Sequence, residues 1–215
     1  MKPVTTMDSF TRYCRSSSLE RAVLWCLGAL LWLASGLVHA QATAEVTQLR
    51  VERVEDAIQV SAQLKFEMSP AVEDALLKGI PMVFVAEADV LRERWYWYDK
   101  KIATAQRSMR LAYQPLTRRW RLNIHAGSGQ GAPVGLALNQ SFDTLPQAMA
   151  IIRRIAQWKI ADVGDLDTSL KYRVEFRFRL DMSQLPRPFQ IGAIGQSDWD
   201  IGCTAFVPLS LETGK

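Results

Sequence analysis

Histidine and cysteine, the residues that most often carry metal and nucleophile chemistry, are scarce. Two histidines and three cysteines occur in 215 residues. Cys14 and Cys26 fall within the first forty positions, which leaves Cys203 alone further on. A lone cysteine excludes an intramolecular disulfide and a cysteine-based metal site in the rest of the chain. Charge of one sign is also lacking: 26 Lys and Arg face 22 Asp and Glu. So small a surplus gives no basis for general polyanion binding. No internal repeat, no low-complexity tract and, after residue 40, no long apolar run is present.

The first forty residues form a separate unit. Lys2, Arg12, Arg15 and Arg21 precede the uncharged segment AVLWCLGALLWLASGLVHA, from Ala22 to Ala40. A basic head, an apolar stretch and small residues at its end make a secretory signal peptide, with Val38 and Ala40 placed for cleavage before Gln41. Translation starting at Met7 would shorten the long basic head. An inner-membrane anchor left uncleaved is the competing reading, since the apolar run approaches a membrane span in length. Ser35, Gly36 and His39 weaken it as a span. Cys26 follows VLW, a context unsuited to lipidation. Removal of 40 residues from 215 leaves 175, the size of one domain, in which 22 basic residues face 20 acidic ones. The expected compartment is the periplasm.

Two segments of that domain alternate with period two. Ile58, Val60, Ala62, Leu64, Phe66 and Met68 oppose Gln59, Ser61, Gln63, Lys65 and Glu67. Likewise Val174, Phe176, Phe178 and Leu180 oppose Arg173, Glu175, Arg177 and Arg179. Such alternation marks antiparallel strands with one face on a core. Leu49 and Val51 suggest a strand turned back at Glu55–Ala57. Ser69-Pro70 opens a short helix that stops at Gly79. IPMVFVAEADV, IATAQRSMRLAY and RRWRLNI follow with turns between them, as in a meander. HAGSGQGAPVG reads as a loop.

A long helix is expected over LPQAMAIIRRIAQW, capped by Thr144, with Pro146 in its first turn. Its apolar stripe is Leu145, Ala148, Met149, Ile152, Ile155 and Ala156, with Arg153, Arg154 and Gln157 outside. ADVGDLDTS reads as a loop, and Trp199–Val207 as a last strand. The fold class is mostly β: an antiparallel sandwich, with an immunoglobulin-like arrangement as one version, covered by one or two helices.

Each catalytic or metal pattern meets a simpler explanation. GQSDW half-resembles a nucleophile elbow, which would join Ser197, His125 and Asp198, but tryptophan replaces its final glycine. Cys203 on an apolar strand reads as an inert thiol. Asp162, Asp165 and Asp167 match no calcium-loop spacing and read as capping residues of a solvated connector. GSGQG lacks the last glycine of a phosphate cradle, since Ala132 stands there. No catalytic residue, metal ligand or cofactor is assigned. Nucleic acid is excluded as a partner by the export signal and the balanced charge, although arginines interleave with aromatics in two places.

One of those places is RERWYWYDKK. Read as a strand turned back by Asp99-Lys100-Lys101, it puts Trp95 and Trp97 on one face and Tyr96 and Tyr98 on the other. The first reading is structural, with one pair in the core and the other covering the sheet or lying under a loop; the second is a platform of exposed rings for a protein partner, a sugar or a lipid headgroup. Arg92, Arg94, Lys100, Arg119 and Trp120 complete the candidate binding set. Contact with a membrane surface is a third reading.

ALLKGIPMVFVAEADV, RWYWYDKKIATAQRSMRLAYQPLTRRWRL, NQSFDTLPQAMAIIRRIAQWKIAD and YRVEFRFRLDMSQLPRPFQIGAIGQSDWDI together resemble the bacterial family known as domain of unknown function 4390. The resemblance runs from about Val46 to Ile201, and the ending GCTAFVPLSLETGK departs from it. It implies an exported proteobacterial protein and brings no catalytic residue. Members are often encoded beside a membrane sensor histidine kinase, which implies an accessory role in envelope sensing. The expected function is therefore a non-enzymatic periplasmic binding or interaction domain, with an envelope or membrane sensor protein as partner. A small-ligand or lipid binder is the alternative, and a hydrolase centred on Ser197 and His125 the weaker one.

Overall fold

The two alternating segments belong to two different sheets. The computed structural model describes residues 44–94, 96, 98–128, 137–187, 189–190 and 197–210. The signal-peptide reading, the glycine-loop residues 129–136, Trp95 and Trp97 lie outside these. Strands β1 (Glu45–Val54), β2 (Ala57–Lys65) and β7 (Arg154–Asp162) form a three-stranded sheet in the order β1-β2-β7. Strands β3 (Met82–Arg92), β4 (Lys100–Gln114), β5 (Arg119–Ser128), β6 (Ala137–Phe142), β8 (Tyr172–Leu180) and β9 (Gly202–Leu209) form a six-stranded one, in the order β6-β5-β4-β3-β8-β9. Every pairing is antiparallel.

The apolar positions of the alternation fill the space between the sheets. Ile58, Val60 and Leu64 of β2 and Val174, Phe176 and Phe178 of β8 are all buried in one core. Phe66, Phe84 and Phe178 meet there with ring centroids 5.2 to 5.9 Å apart. Side chains of this size dominate the energetics of a core that no disulfide supports. The mostly-β antiparallel fold with covering helices is as the periodicity implied. Helix α1 (Pro70–Leu77) starts as expected, with Ser69 Oγ accepting from Val72 N at 3.3 Å. It ends at Gly79, whose φ of 82° is left-handed.

Three expectations are corrected. The long helix is only Leu145–Ile152 (α2), and Ile155, Ala156 and Trp158 lie on β7. The cause is a β-bulge. Ala62 pairs with Ile155 and Val60 with Trp158, so three steps on β7 match two on β2. Gln157 absorbs the extra residue at φ 46°, and its N–H donates to Ser61 Oγ at 3.2 Å. A bulge turns the strand spacing of two into three, which imitates one face of a helix. Thr144 occupies the N-cap in extended conformation, but its side chain makes no capping hydrogen bond.

The second correction concerns the aromatic run. β3 ends at Arg92 and β4 begins at Lys100, so Glu93, Arg94, Tyr96, Tyr98 and Asp99 lie in the hairpin connection and not in a strand. Lys100 and Lys101 belong to β4 rather than to a turn. The third is smaller: Ala137–Phe142 adds strand β6, which no alternation marks, and the last strand starts at Gly202 because Ser197–Trp199 is a 3-10 turn. Ala161 and Asp162 of the expected connector end β7, and Val163–Asp165 makes another 3-10 turn.

Three strands cannot cover six. β1 packs on β9, β7 lies against β3, β4 and β5, and α2 touches β5, β6 and β7. The inner face of β5 and β6 thus projects beyond the small sheet and is roofed in part by α2. No helix of the described residues is long and apolar enough to cross a membrane.

Candidate functional site

The β3–β4 loop is held at both ends. Asp99 is the latch: its Oδ1 accepts from Arg94 N at 3.3 Å, and its Oδ2 pairs with the Arg173 guanidinium on β8. On the other side Glu93 N donates to Lys171 O at 3.1 Å. A loop tied by charge-assisted bonds to an adjacent strand keeps its shape and loses little entropy when it binds.

The facing wall is the segment before β8, and it is also braced. Asp167 Oδ1 accepts from Ser169 N at 2.9 Å and Ser169 Oγ at 2.7 Å, while Asp167 N donates to the Tyr172 hydroxyl at 3.0 Å. The Ser169 hydroxyl, more than its N–H, holds the Asp167 carboxyl below its ordinary range. Between the walls lies a cleft of about 950 Å³ with Arg92, Arg94 and Tyr96 on one side and Ser169, Leu170 and Lys171 on the other. Among the described residues, three cations and one carboxylate, Glu93, line it. Tyr96 is 68% and Tyr98 92% exposed.

This arrangement changes the candidate set. Arg92, Arg94, Tyr96 and Tyr98 come together, with Lys100 exposed at the start of β4. Arg119 and Trp120 do not join them. Arg119 pairs with Gln114 at the far end of β4, about 45 Å from Lys100 at the rise of an extended strand. Arg119 is engaged by Asp143 at 2.9 Å, and Trp120 is buried against Tyr113 with centroids 4.8 Å apart. The sequence pattern missed Ser169, Leu170, Lys171 and the latch Asp99. The Asp-x-Ser turn ahead of an alternating strand was the available sign of the second wall.

The remaining chemical candidates are dispersed. His125 is exposed on β5, in one row with Ser108, Val85, Arg179 and Gly202. Four strand spacings, about 19 Å, therefore separate it from the start of β9, just after the turn that contains Ser197 and Asp198. Cys203 sits on β9 opposite Phe178, and burial pushes its thiol up to about 11. Asp162 is paired with Lys159 at 2.6 Å. Among the described residues no cluster of three or more His, Cys, Asp or Glu side chains is placed to hold a metal ion.

A family model described as Domain of unknown function (DUF4390) matches residues 41–207. No curated protein and no solved structure matches the chain.

Proposed function

The chain belongs to the DUF4390 family, and from that premise we propose that it is an exported binding domain of the cell envelope, not an enzyme. Its contact surface is the latched β3–β4 loop with the cleft behind it. Export is supported by the basic-then-apolar pattern that ends at Ala40, one residue before the family match begins. The observation that carries the binding reading is the exposure of Tyr96 and Tyr98 on a loop whose ends are tied down. Tyrosine and arginine are the residues that most often dominate protein interfaces. A pre-shaped loop presents them at low entropic cost. Arg92, Arg94 and Lys171 suit an acidic segment of an envelope protein, and a membrane-bound sensor is the partner class that the family resemblance implies.

The test is affinity capture from envelope extracts, comparing the exported domain with a variant carrying Tyr96→Ser, Tyr98→Ser and Arg94→Glu. The expected result is a partner held by the native protein and lost by the variant, with the melting temperature unchanged. Identical capture by both proteins, or none by either, overturns this reading. The cleft volume favours a small acidic ligand as a second version, since about 300–1,000 Å³ is typical of ligand sites. Parallel titrations with short anionic peptides and with small dicarboxylates such as succinate separate the two.

A further inference from the structure

Arg107 points into the sandwich rather than away from it. On the core face of the large sheet it pairs with Ala86 of β3 and Ala126 of β5, and Ala86 pairs in turn with the buried Phe178 of β8. Two alanines flank the long side chain and leave room around it. The neighbouring core-facing residues of β4, Ala105 and Met109, are buried and apolar. The Arg107 Nε is buried and has no hydrogen-bond partner. Burial lowers the pKa of the guanidinium, so its surroundings disfavour the charge.

A cleft of about 360 Å³ opens here, where the inner face of β5 and β6 projects past β7. Ile124, Leu138 and Trp158 supply apolar walls, with Gln157 and Lys159 from the β7 bulge region beside them. No carboxylate is among the described residues that line it. The Lys159 ammonium is already taken by Asp162. Arg107 is half-buried, so an uncompensated charge there is unfavourable though partly screened by water, whereas the same cation paired with a carboxylate is satisfied. Nε and a neighbouring Nη form the side-on fork that matches a carboxylate with two parallel hydrogen bonds.

We infer that this cleft is a second binding site, for a small amphiphilic organic anion whose carboxylate lies on Arg107 and whose apolar body lies against Ile124, Leu138 and Trp158. Apolar walls and, among the described lining residues, a single available cation select a monoanion with a hydrocarbon body over inorganic phosphate or sulfate. The site is separate from the tyrosine loop and does not depend on it.

Titration calorimetry and melting curves with sodium octanoate, octanol and sodium sulfate test the inference. Octanoate is expected to bind and to raise the melting temperature, with octanol and sulfate at least tenfold weaker. Arg107→Met keeps the apolar stem and removes the charge. It is expected to weaken octanoate at least tenfold and to raise the melting temperature of the ligand-free protein. The loop variant Tyr96→Ser/Tyr98→Ser should bind octanoate as the native protein does. Octanol binding as well as octanoate, octanoate binding unaffected by Arg107→Met, or no binding by the native protein would each overturn the assignment.

Discussion

Asp89, in the middle of β3, is the buried carboxylate of the described residues, with 1% of its side chain exposed. It faces away from the core, opposite to Ala88 and Val90. Lys101 Nζ at 2.7 Å, Arg177 Nη2 at 2.5 Å and Thr104 Oγ1 at 2.8 Å surround it. Removing one partner of a buried charge group costs up to several kcal/mol, because the remaining charges are left unpaired. Lys101 and Arg177 are about half and a third exposed, so water takes over part of that role. Asp89→Ala is therefore expected to destabilise by about 2 kcal/mol, below the usual range for a buried pair. Asp89→Asn, which can still accept from Thr104, should cost less. Urea unfolding checks both. At this scale the sequence places Asp89 inside an apolar strand segment, but the two cations that neutralise it and the hydroxyl that donates to it come from strands β4 and β8.

The α2–β7 junction is where local pattern and final structure part. Eight residues suffice for α2 because Ala148, Met149 and Ile152 bury one face on the sandwich, not because so short a helix is stable alone. Beyond Arg153 the chain is captured by β2, and the Gln157 bulge lets Ile155 and Trp158 both reach the core. A non-glycine residue in the left-handed region is strained by about 1 kcal/mol. Gln157→Gly is expected to relieve part of that strain and stabilise by about 0.5 kcal/mol, since the added chain entropy offsets the rest. Gln157→Val should destabilise by at least 1 kcal/mol in the same denaturation experiment, where ~1 kcal/mol is the added cost of β-branching at positive φ. The hairpin loop is a second element-scale lesson. Tyr96 and Tyr98 belong to a stretch with the composition of a strand, yet the Asp99 latch to Arg94 and Arg173 and the end of pairing at Arg92 place these two tyrosines between strands.

Over the whole of the described residues, both sheets and both helices share one core. A single core implies one cooperative transition, so circular dichroism and tryptophan fluorescence should give coincident unfolding curves. Phe178, which stacks on Phe84 and touches Phe66 across the sandwich, is the strongest lever on that transition. Phe178→Ala is expected to cost about 3–5 kcal/mol without splitting the curve. Two separate transitions would show that the small sheet unfolds on its own. The unequal sheets also have a functional consequence at this scale: the overhang of β5 and β6 creates the cleft around Arg107.

The sequence by itself determined the class of fold, most of the strands of both sheets, the first helix and the family. Period two, proline, glycine and capping residues act over a few neighbours and are legible without a partner strand. Only the tertiary structure decided the bulge in β7, the loop position of Tyr96 and Tyr98 and the separation of Trp120 from them. It alone revealed the second wall at Ser169–Lys171 and the inward aim of Arg107. Each of these depends on which strands pair and in what register. That is set by contacts between residues tens of positions apart, where a one-residue shift moves a side chain to the opposite face.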